Sequence, residues 1–502
     1  MKTKMAMSSI KIMFFLSIAL FSQELFSQQV VFKNVIDFDE VDAAMCLKQT
    51  SDSGYIFCGA SAPFSGNGAC KPSRVKTDKN GIMQWQYTYN TPYYINIGRW
   101  IEQTPDGGYI MVADSCGTSS WDIKTLLLKI DASGQVQWTR HYGNYNEPHN
   151  GNCIKKTFDG GYIVCGNVLG GGPGRNQFLL KTDSNGVMQW YNIYYKDYLY
   201  QVFQTNDSGY VAFGYTRSMS PGGNDMDVIL LKTDKNGTQQ WVKTYGTAQN
   251  LPYIYGHDCG YAFDTIPGGG YICICTFDTC GFALLRTDAN GNILWVKKQD
   301  VVNNFTCINY CINRCSDGGY LYTENKKSNL QIPGDTSFTS NLVVVKTNSI
   351  GDTLWTKEFG FQLDSNFSNN GHTNKCIQTN DGGYAILTQV SCNIFTNFSD
   401  YYLIKLDSSG ILTSIYPVIY SQQENVIAYP NPTNDVVNID FPAYSAKENT
   451  VLEIQNIDGR LLKSQQIMGR ITEVNLNDMS SGIYFIKVRN NNGVAVRKVI
   501  KE

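Results

Sequence analysis

Charge is scarce in this chain. Only 17% of its 502 residues are Asp, Glu, Lys or Arg, and 43 acids against 41 bases leave a formal charge of -2. A balance so near neutrality offers no electrostatic footing for a polyanion, which sets a nucleic-acid-binding role aside. The chain is not a disordered one either, because 42% hydrophobic and 13% aromatic residues suffice to bury sizeable cores. Long apolar runs are missing: the stretch from Ile12 to Phe21 is far shorter than the roughly 20 residues a spanning helix needs, and no later segment is longer. Cysteine is absent from the last hundred residues, all fifteen lying between Cys46 and Cys392. The common catalytic signatures are missing too, with no Gly-x-Ser-x-Gly, His-Glu-x-x-His or Gly-x-x-x-x-Gly-Lys. A glycine run, Gly170 to Gly174, is broken by Pro173, cannot open a helix, and reads as a loop.

What the chain does have is a repeat. Seven times between residues 50 and 414 it writes a Gly-Tyr pair, an apolar run ending in Lys/Arg-x-Asp, and a Gly turn followed by Trp. The pairs are Gly54-Tyr55, Gly108-Tyr109, Gly161-Tyr162, Gly209-Tyr210, Gly270-Tyr271, Gly319-Tyr320 and Gly383-Tyr384. Their spacing of 48 to 64 residues suits one four-stranded propeller blade per repeat. Strands one and two flank turns such as Asp106-Gly107-Gly108. The third strand is a continuous apolar run, for example Leu126 to Leu128, as expected where both faces are buried. A second turn, Asp131-x-x-Gly134 or Asp183-x-x-Gly186, leads to the fourth strand and its Trp.

Those tryptophans are Trp85, Trp138, Trp190, Trp241, Trp295 and Trp355, with Ser414 in the seventh place. A Trp in nearly every repeat is what blade-to-blade packing requires and what a single binding site does not. The basic residues two before each second-turn acid (Lys76, Lys129, Lys181, Lys232, Arg286, Lys405, and Lys346 before Asn348) read likewise, as structural partners of turn carboxylates.

Strand parity sends the short turns to one face of an up-and-down blade and the long, dissimilar connections to the other. Loops on a rigid scaffold are where binding residues concentrate. That second face carries Tyr93, Tyr94, Trp121, Tyr145, Tyr253 and Tyr255, with Phe64, Tyr215, Phe395 and Phe398, which either contact a sugar or protein ligand or pack their own loops. Three of the four histidines, His149, His257 and His372, fall in connections of alternate blades and are weak candidates for a metal site. Paired carboxylates for glycoside hydrolysis are not legible, since blade ends can bring any two acids together.

The cysteines read mostly as core. Cys46, Cys153 and Cys311 stand nine residues before their repeat's Tyr, where the second repeat has Trp100. Cys46 with Cys58, and Cys153 with Cys165, are twelve apart around one hairpin turn and could bridge its strands, but connectivity does not follow from sequence. Cys307, Cys311 and Cys315 would gather on a metal only in a helix, and the repeat makes this segment a strand.

At the N-terminus, Lys2, Lys4 and Lys11 precede the short apolar run and then small and polar residues, the layout of a secretory signal cleaved after Ser27. After Tyr416 the repeat stops. The last residues carry Tyr429-Pro430-Asn431-Pro432, an alternating strand Val436 to Phe441, the Asp458-Gly459 turn, Ser481-Gly482-Ile483-Tyr484-Phe485, and a closing Val496 to Lys501 that contains Lys498. In this order they resemble the type A C-terminal sorting domain of type IX secretion cargo in Bacteroidetes. That resemblance implies passage across the outer membrane by the type IX machinery, with cargo then released or held at the cell surface. Independently, period-two strands between Asp-Gly and Asn-Gly turns predict a small antiparallel sandwich. The repeats themselves resemble those of propeller cargo in the same bacteria. Their Asp-x-x-Gly-x-x-x-Trp turn is also similar to that of pyrroloquinoline-quinone propellers, a likeness shared by cofactor-free relatives, and no cofactor is expected.

The expected protein is therefore all-β: a signal peptide (1–27), a seven-bladed β-propeller (28–420), a linker (421–428) and a small immunoglobulin-like sandwich (429–502) that acts as the sorting domain. Its expected role is binding or adhesion to glycan or protein outside the cell, with a polysaccharide hydrolase or lyase as the alternative.

Overall fold

The computed structural model describes residues 31–36, 41–62, 70–89, 96–116, 122–143, 147–168, 176–194, 198–216, 227–246, 259–277, 281–298, 311–327, 340–359, 375–391, 399–412, 426–441, 450–456, 461–490 and 493–502. Among them every regular element is a β-strand, and no helix is long and apolar enough to cross a membrane. Six units of four antiparallel strands follow one another, each in the order first, second, third, fourth. In the second unit these are Gly98–Gln103, Tyr109–Cys116, Ile123–Ile130 and Val136–Tyr142. The seventh unit has three strands of its own, Lys375–Gln378, Tyr384–Ser391 and Ser399–Leu406, and its fourth place is filled by Phe32–Ile36 from the other end of the repeat. The expected leader at 1–27 lies outside the described residues.

The repeat's residue pattern has a steric origin in the middle of each unit. The third strands bury every residue of runs such as Leu126 to Leu128 and Ile229 to Leu231, as their continuous apolarity requires. Each third strand also carries a cation near its end, and in the first unit Arg74 is a second buried one. Lys76 reaches Asp52 at 2.8 Å, Lys129 reaches Asp106 at 2.7 Å, and Lys346 reaches Asp317 at 2.7 Å, with the lysine side chains only 2–8% exposed. The carboxylate chosen is that of the first turn, not the acid two residues further along the same strand. The Gly of each Gly-Tyr pair follows from this arrangement. A Cβ on Gly54 would stand 2.2 Å from the Thr77 carbonyl and 2.5 Å from the Lys76 ammonium, so no side chain fits. Left-handed backbone is needed one residue earlier, at Gly107 (φ 80°), where Ser53 and Ser208 substitute in the first and fourth units.

Unit-to-unit contact is equally regular. Trp85 stands edge-on to Tyr109 of the second unit, Trp190 to Tyr210 of the fourth, and Trp355 to Tyr384 of the seventh, with ring centroids 5.4–5.8 Å apart. The same indoles cover the second-turn glycine of the next unit. A Cβ on Gly134, Gly186, Gly237 or Gly410 would meet the Trp before it at 2.7–2.9 Å. These tryptophans are half-buried, so packing between units is their role and the fully enclosed core is not their location.

The series closes on itself. In six units the buried third-strand cation is paired in register with the Trp, as Lys129 is with Trp138; in the seventh, Lys405 is paired with Phe32. Phe32 lies edge-on to Tyr55 of the first unit at 5.9 Å and would block a Cβ on Gly81, the contacts a Trp makes elsewhere. Consecutive first strands touch from unit one to unit seven, and the seventh touches the first. A glutamine ladder repeats this order: Gln103 accepts the amide of Ser51 in the unit before it, and Gln49 accepts that of Asn380 in the seventh unit.

The last stretch is separate in build. Ile427–Tyr429, Val436–Asp440 and Ile471–Asn475 form a three-stranded antiparallel sheet; Leu461–Gln466, Val451–Asn456, Gly482–Asn490 and Gly493–Lys501 form one of four. Val437, Ile439 and Val474 from the first sheet and Leu452, Ile454, Ile486, Val488 and Val499 from the second share one core. Val426, within the segment 421–428, is also buried in it.

Because Phe32 is 7% exposed and stands where two ends of the chain meet, Phe32→Ala is expected to cost about 3 kcal/mol, as for other buried aromatics. Phe32→Trp should be tolerated. Trp138→Ala, which removes a half-buried ring, should cost about 2 kcal/mol. Urea unfolding of the full chain followed by near-ultraviolet circular dichroism measures all three, and a Phe32→Ala curve superimposed on wild type would refute the closing role.

Candidate functional site

Side chains of a strand alternate between faces, so one position of the first strand repeats the same outlook in each unit. Seven residues before each Gly-Tyr tyrosine, that position holds Lys48, Glu102, Lys155, Phe203, Asp264, Asn313 and Ile377 in turn. Because first strands of successive units touch, these residues become neighbours. The Glu102 carboxylate lies 3.2 Å from the Lys48 ammonium and 2.7 Å from that of Lys155, and it accepts the Trp100 indole N–H at 2.8 Å. Both ammoniums also lie over the Trp100 ring, 4.9 and 4.6 Å from its centre, and Lys155 is 4.6 Å from that of Phe203.

Electrostatics fix the charge state of this cluster. Burial alone pushes the Glu102 carboxyl up, but Lys155 and Lys48 outweigh burial and hold it at about 2, against an ordinary 4.5. Burial pulls the Lys48 ammonium down, and Glu102 reverses that and raises it. Side-chain exposures of 24%, 15% and 14% for Lys48, Glu102 and Lys155 leave the cluster in reach of solvent. Two cations, one anion and two aromatic rings thus satisfy one another across three units, leaving one net positive charge.

A second group sits further along a second strand. Glu324 in Tyr320–Lys327 occupies the slot filled by Gly59, Ala113, Gly166 and Gly214 in other units. It is 5% exposed, and burial raises its carboxyl to about 7. A carboxyl balanced near neutrality can give or take a proton.

Neither group was foreseen from sequence. Comparing position by position across the repeats would have shown both, as charge in slots that are otherwise small or apolar. The aromatic candidates Tyr93, Tyr94, Trp121, Tyr145, Tyr253 and Tyr255 lie outside the described residues, as do Phe64, Phe395 and Phe398. Indeed every second-to-third and unit-to-unit connection contains residues outside those described. Tyr215 is described and follows the packing alternative: it is 8% exposed and stacks on Tyr198 at 4.6 Å.

His149 is likewise enclosed, at 3% exposure. Its Nε2 meets the Tyr191 hydroxyl at 2.9 Å, its Nδ1 meets the Glu147 carbonyl, and burial lowers its pKa. Both ring nitrogens thus have partners. His257 and His372 lie outside the described residues, and among the described residues no group of three or more His, Cys, Asp or Glu is placed to hold a metal.

In the C-terminal stretch, Tyr429 ends the first short strand, Pro430 follows it, and the Asn431 side-chain oxygen accepts the Ile500 amide at 2.9 Å just before Pro432. The segment then ties to the last strand again through Thr433 and Ile500. Gly482 opens the strand that pairs with Gly493–Lys501, Tyr484 donates its hydroxyl to the Ser480 carbonyl at 2.6 Å, and the Lys498 main chain pairs with Phe485. Gly459 lies outside the described residues.

Residues 427–502 match the family described as a secretion system C-terminal sorting domain. No curated protein matches the chain. Among solved structures, similarity is found to PorZ of Porphyromonas gingivalis, described as a bacterial surface component of the type IX secretion system, at 13% identity and a TM-score of 0.43. That match covers 93% of this chain, which spans only 60% of PorZ. A fungal alcohol oxidase in complex with copper gives 12% identity and a TM-score of 0.41, covering 93% of this chain and 98% of its own. A Dyadobacter fermentans protein of unknown function gives 10% and 0.42, covering 75% and 98%.

The two buried acids should move stability with pH in opposite senses. Glu102 is held below its unfolded value, so its contribution is full above pH 4.5 and lost as pH falls toward 2; that shift corresponds to about 3 kcal/mol. Glu324 is held above its unfolded value, so it subtracts stability as pH rises from 4.5 to 7, again on the order of 3 kcal/mol. Glu102→Gln is therefore expected to destabilise at pH 7, and Glu324→Gln to stabilise at pH 8 while changing nothing at pH 4. Melting temperatures across pH 3–8 check both signs.

Proposed function

We propose that this chain is a secreted or cell-surface cargo of the type IX secretion system, in which a seven-bladed β-propeller over 28–420 is a binding or adhesion module for glycan or protein. The match of residues 427–502 to a secretion sorting domain carries the export half of this reading. The propeller half is supported by the cyclic order of contacts, first unit against seventh, and by an N-terminal strand completing the last sheet. The two C-terminal sheets with their shared core support an immunoglobulin-like sandwich.

Binding is supported by how the units use their polar groups. On the short-turn side, acids are tied to buried lysines or to turn amides, as Asp52 is to Lys76 and Asp78 to the amides of Asn80 and Ile82. Sequence variation is concentrated in the connecting segments, which contain Trp121, Tyr93, Tyr94, Tyr145, Tyr253 and Tyr255, residue types that offer large contact area at low entropic cost. A second reading, a polysaccharide hydrolase or lyase, draws on Glu324, whose near-neutral carboxyl suits general acid–base work.

A glycan array with a reducing-sugar assay on the secreted protein separates the two. Binding without product release, unaffected by Glu324→Gln, supports the adhesion reading; product release abolished by Glu324→Gln overturns it. Within the binding reading, Trp121→Ala should weaken an identified ligand while changing stability by less than about 1 kcal/mol. For export, deletion of residues 427–502 should leave folded protein in the periplasm. Equal amounts of truncated and full-length protein outside the cell would refute the sorting role.

A further inference from the structure

In several units the residue nine before the Gly-Tyr tyrosine reaches the main chain of the next unit, as Gln201 does in accepting the Phe263 amide at 2.9 Å. In the first unit the Cys46 thiol reaches the carbonyl of Ile101, the residue eight before Tyr109, at 3.7 Å. The sixth unit makes the same contact: the Cys311 thiol reaches the carbonyl of the residue eight before Tyr384, at 3.5 Å. There, however, the residue is cysteine. Where other units present Ile101, Ile154, Val202 or Ile312, the seventh presents Cys376, so two sulfurs meet across a boundary between units.

Their approach is reciprocal. The Cys376 amide donates to the Cys311 sulfur at 3.3 Å, and the Cys376 thiol lies 3.8 Å from the Cys311 carbonyl. Each sulfur is thus against the other residue's main chain, and the two thiols lie within hydrogen-bonding reach of each other. Both are thiols here, Cys311 partly accessible and Cys376 1% exposed.

We propose that Cys311 and Cys376 form a disulfide in the exported protein, joining the sixth unit to the seventh beside the place where the chain's two ends meet. The proposal rests on the export reading, because passage through an oxidising compartment supplies the oxidant, the disulfide of a thiol–disulfide oxidase. The accessible Cys311, as thiolate, attacks that disulfide and expels one oxidase sulfur as thiolate. Cys376 loses its proton and attacks the Cys311 sulfur of the mixed disulfide, expelling the second. Two protein thiols give up two electrons and two protons, and the oxidase disulfide is reduced to two thiols. A hydrogen bond from the Cys376 thiol, helped by Lys375 and the Cys376 amide, lowers the Cys311 thiol to about 6 despite burial, which favours the attacking thiolate.

The bridge spans a separation of 65 residues along the chain and removes from the unfolded ensemble any state in which the two units drift apart. It also differs in kind from Cys46 opposite Cys58 and Cys153 opposite Cys165, which face each other within single hairpins.

The test is peptide mapping without reductant, after thiol blocking, of full-length protein recovered from outside the producing cells. A linked pair of peptides carrying Cys311 and Cys376 is expected. In Cys376→Ile, which installs the residue other units use, Cys311 should instead be recovered blocked as a free thiol. Recovery of both cysteines as blocked thiols in folded wild-type protein, or of either one joined to a different cysteine, overturns the proposal. Protein retained inside the outer membrane would refute export and not the bridge; mapping is then done on the periplasmic fraction with the same two readings.

Discussion

A lysine ammonium buried in the middle strand of a sheet is the constraint on which the repeat depends. Taken out of water it must be paired, and one of its partners is the aspartate of the neighbouring turn, as at Lys232 and Asp207 at 2.8 Å. The aspartate is in turn fixed by the threonine two residues before it and the glycine amide two residues after it, as Asp207 is by Thr205 and Gly209. Burial pushes that carboxyl up, but the hydrogen bonds from Lys232, Thr205 and the Gly209 amide, with charge attraction to Lys232, outweigh burial and hold it at about 2. Thr-x-Asp-x-Gly-Tyr is thus the sequence image of one ammonium's coordination. The fifth unit shows the dependence by exception. Its turn has Gly268 in place of the aspartate, and there the cation is Arg286, whose guanidinium reaches backbone carbonyls of Gly269, Tyr271 and Thr287. With more donors than an ammonium, arginine is satisfied by carbonyls where lysine has its carboxylate.

Fixing the first turn fixes the tyrosine after it, and that tyrosine receives the aromatic ring of the preceding unit. Local satisfaction of a buried charge therefore propagates into unit-to-unit packing. A series of such units has two exposed ends unless it closes, and closure here joins Phe32 of the N-terminal strand to a sheet whose other strands begin at Lys375. The seventh unit needs no tryptophan after Gly410 because the ring that lies beside Lys405 comes from the other end of the chain.

Much of this was legible in the sequence because it repeats. Gly-Tyr, the apolar third strand, the second-turn glycine and the tryptophan recur, so each was seen several times and located correctly to within its turn. The partner of the buried lysine was read as a turn carboxylate without settling which turn, since pairing across a sheet does not show in one-dimensional spacing. Phe32 was invisible for a related reason: nothing in its own neighbourhood repeats, and its role exists only through contact with a strand some 370 residues away. The Lys48–Glu102–Lys155 cluster was missed because its members belong to three repeats and differ in each. Periodicity reveals what units share, whereas a site is made where they differ.

That contrast also separates what the chain's parts can tell about function. The short-turn ends of the units are nearly interchangeable, and their polar groups are engaged in holding the strands, so a ligand there would meet much the same surface at each unit. The connecting segments between second and third strands and between units share neither length nor composition in the sequence. The first-strand cluster lies between these extremes. It departs from the repeat in a few units only, pairs its charges internally, and still reaches solvent, so it can take part in binding only by exchanging one of its own ion pairs for a ligand's. A carboxylate-bearing ligand would have to compete with Glu102 for Lys48 and Lys155, and the depressed Glu102 pKa measures how strongly those lysines are already held. The cluster is therefore better suited to holding three units in register than to tight anion capture.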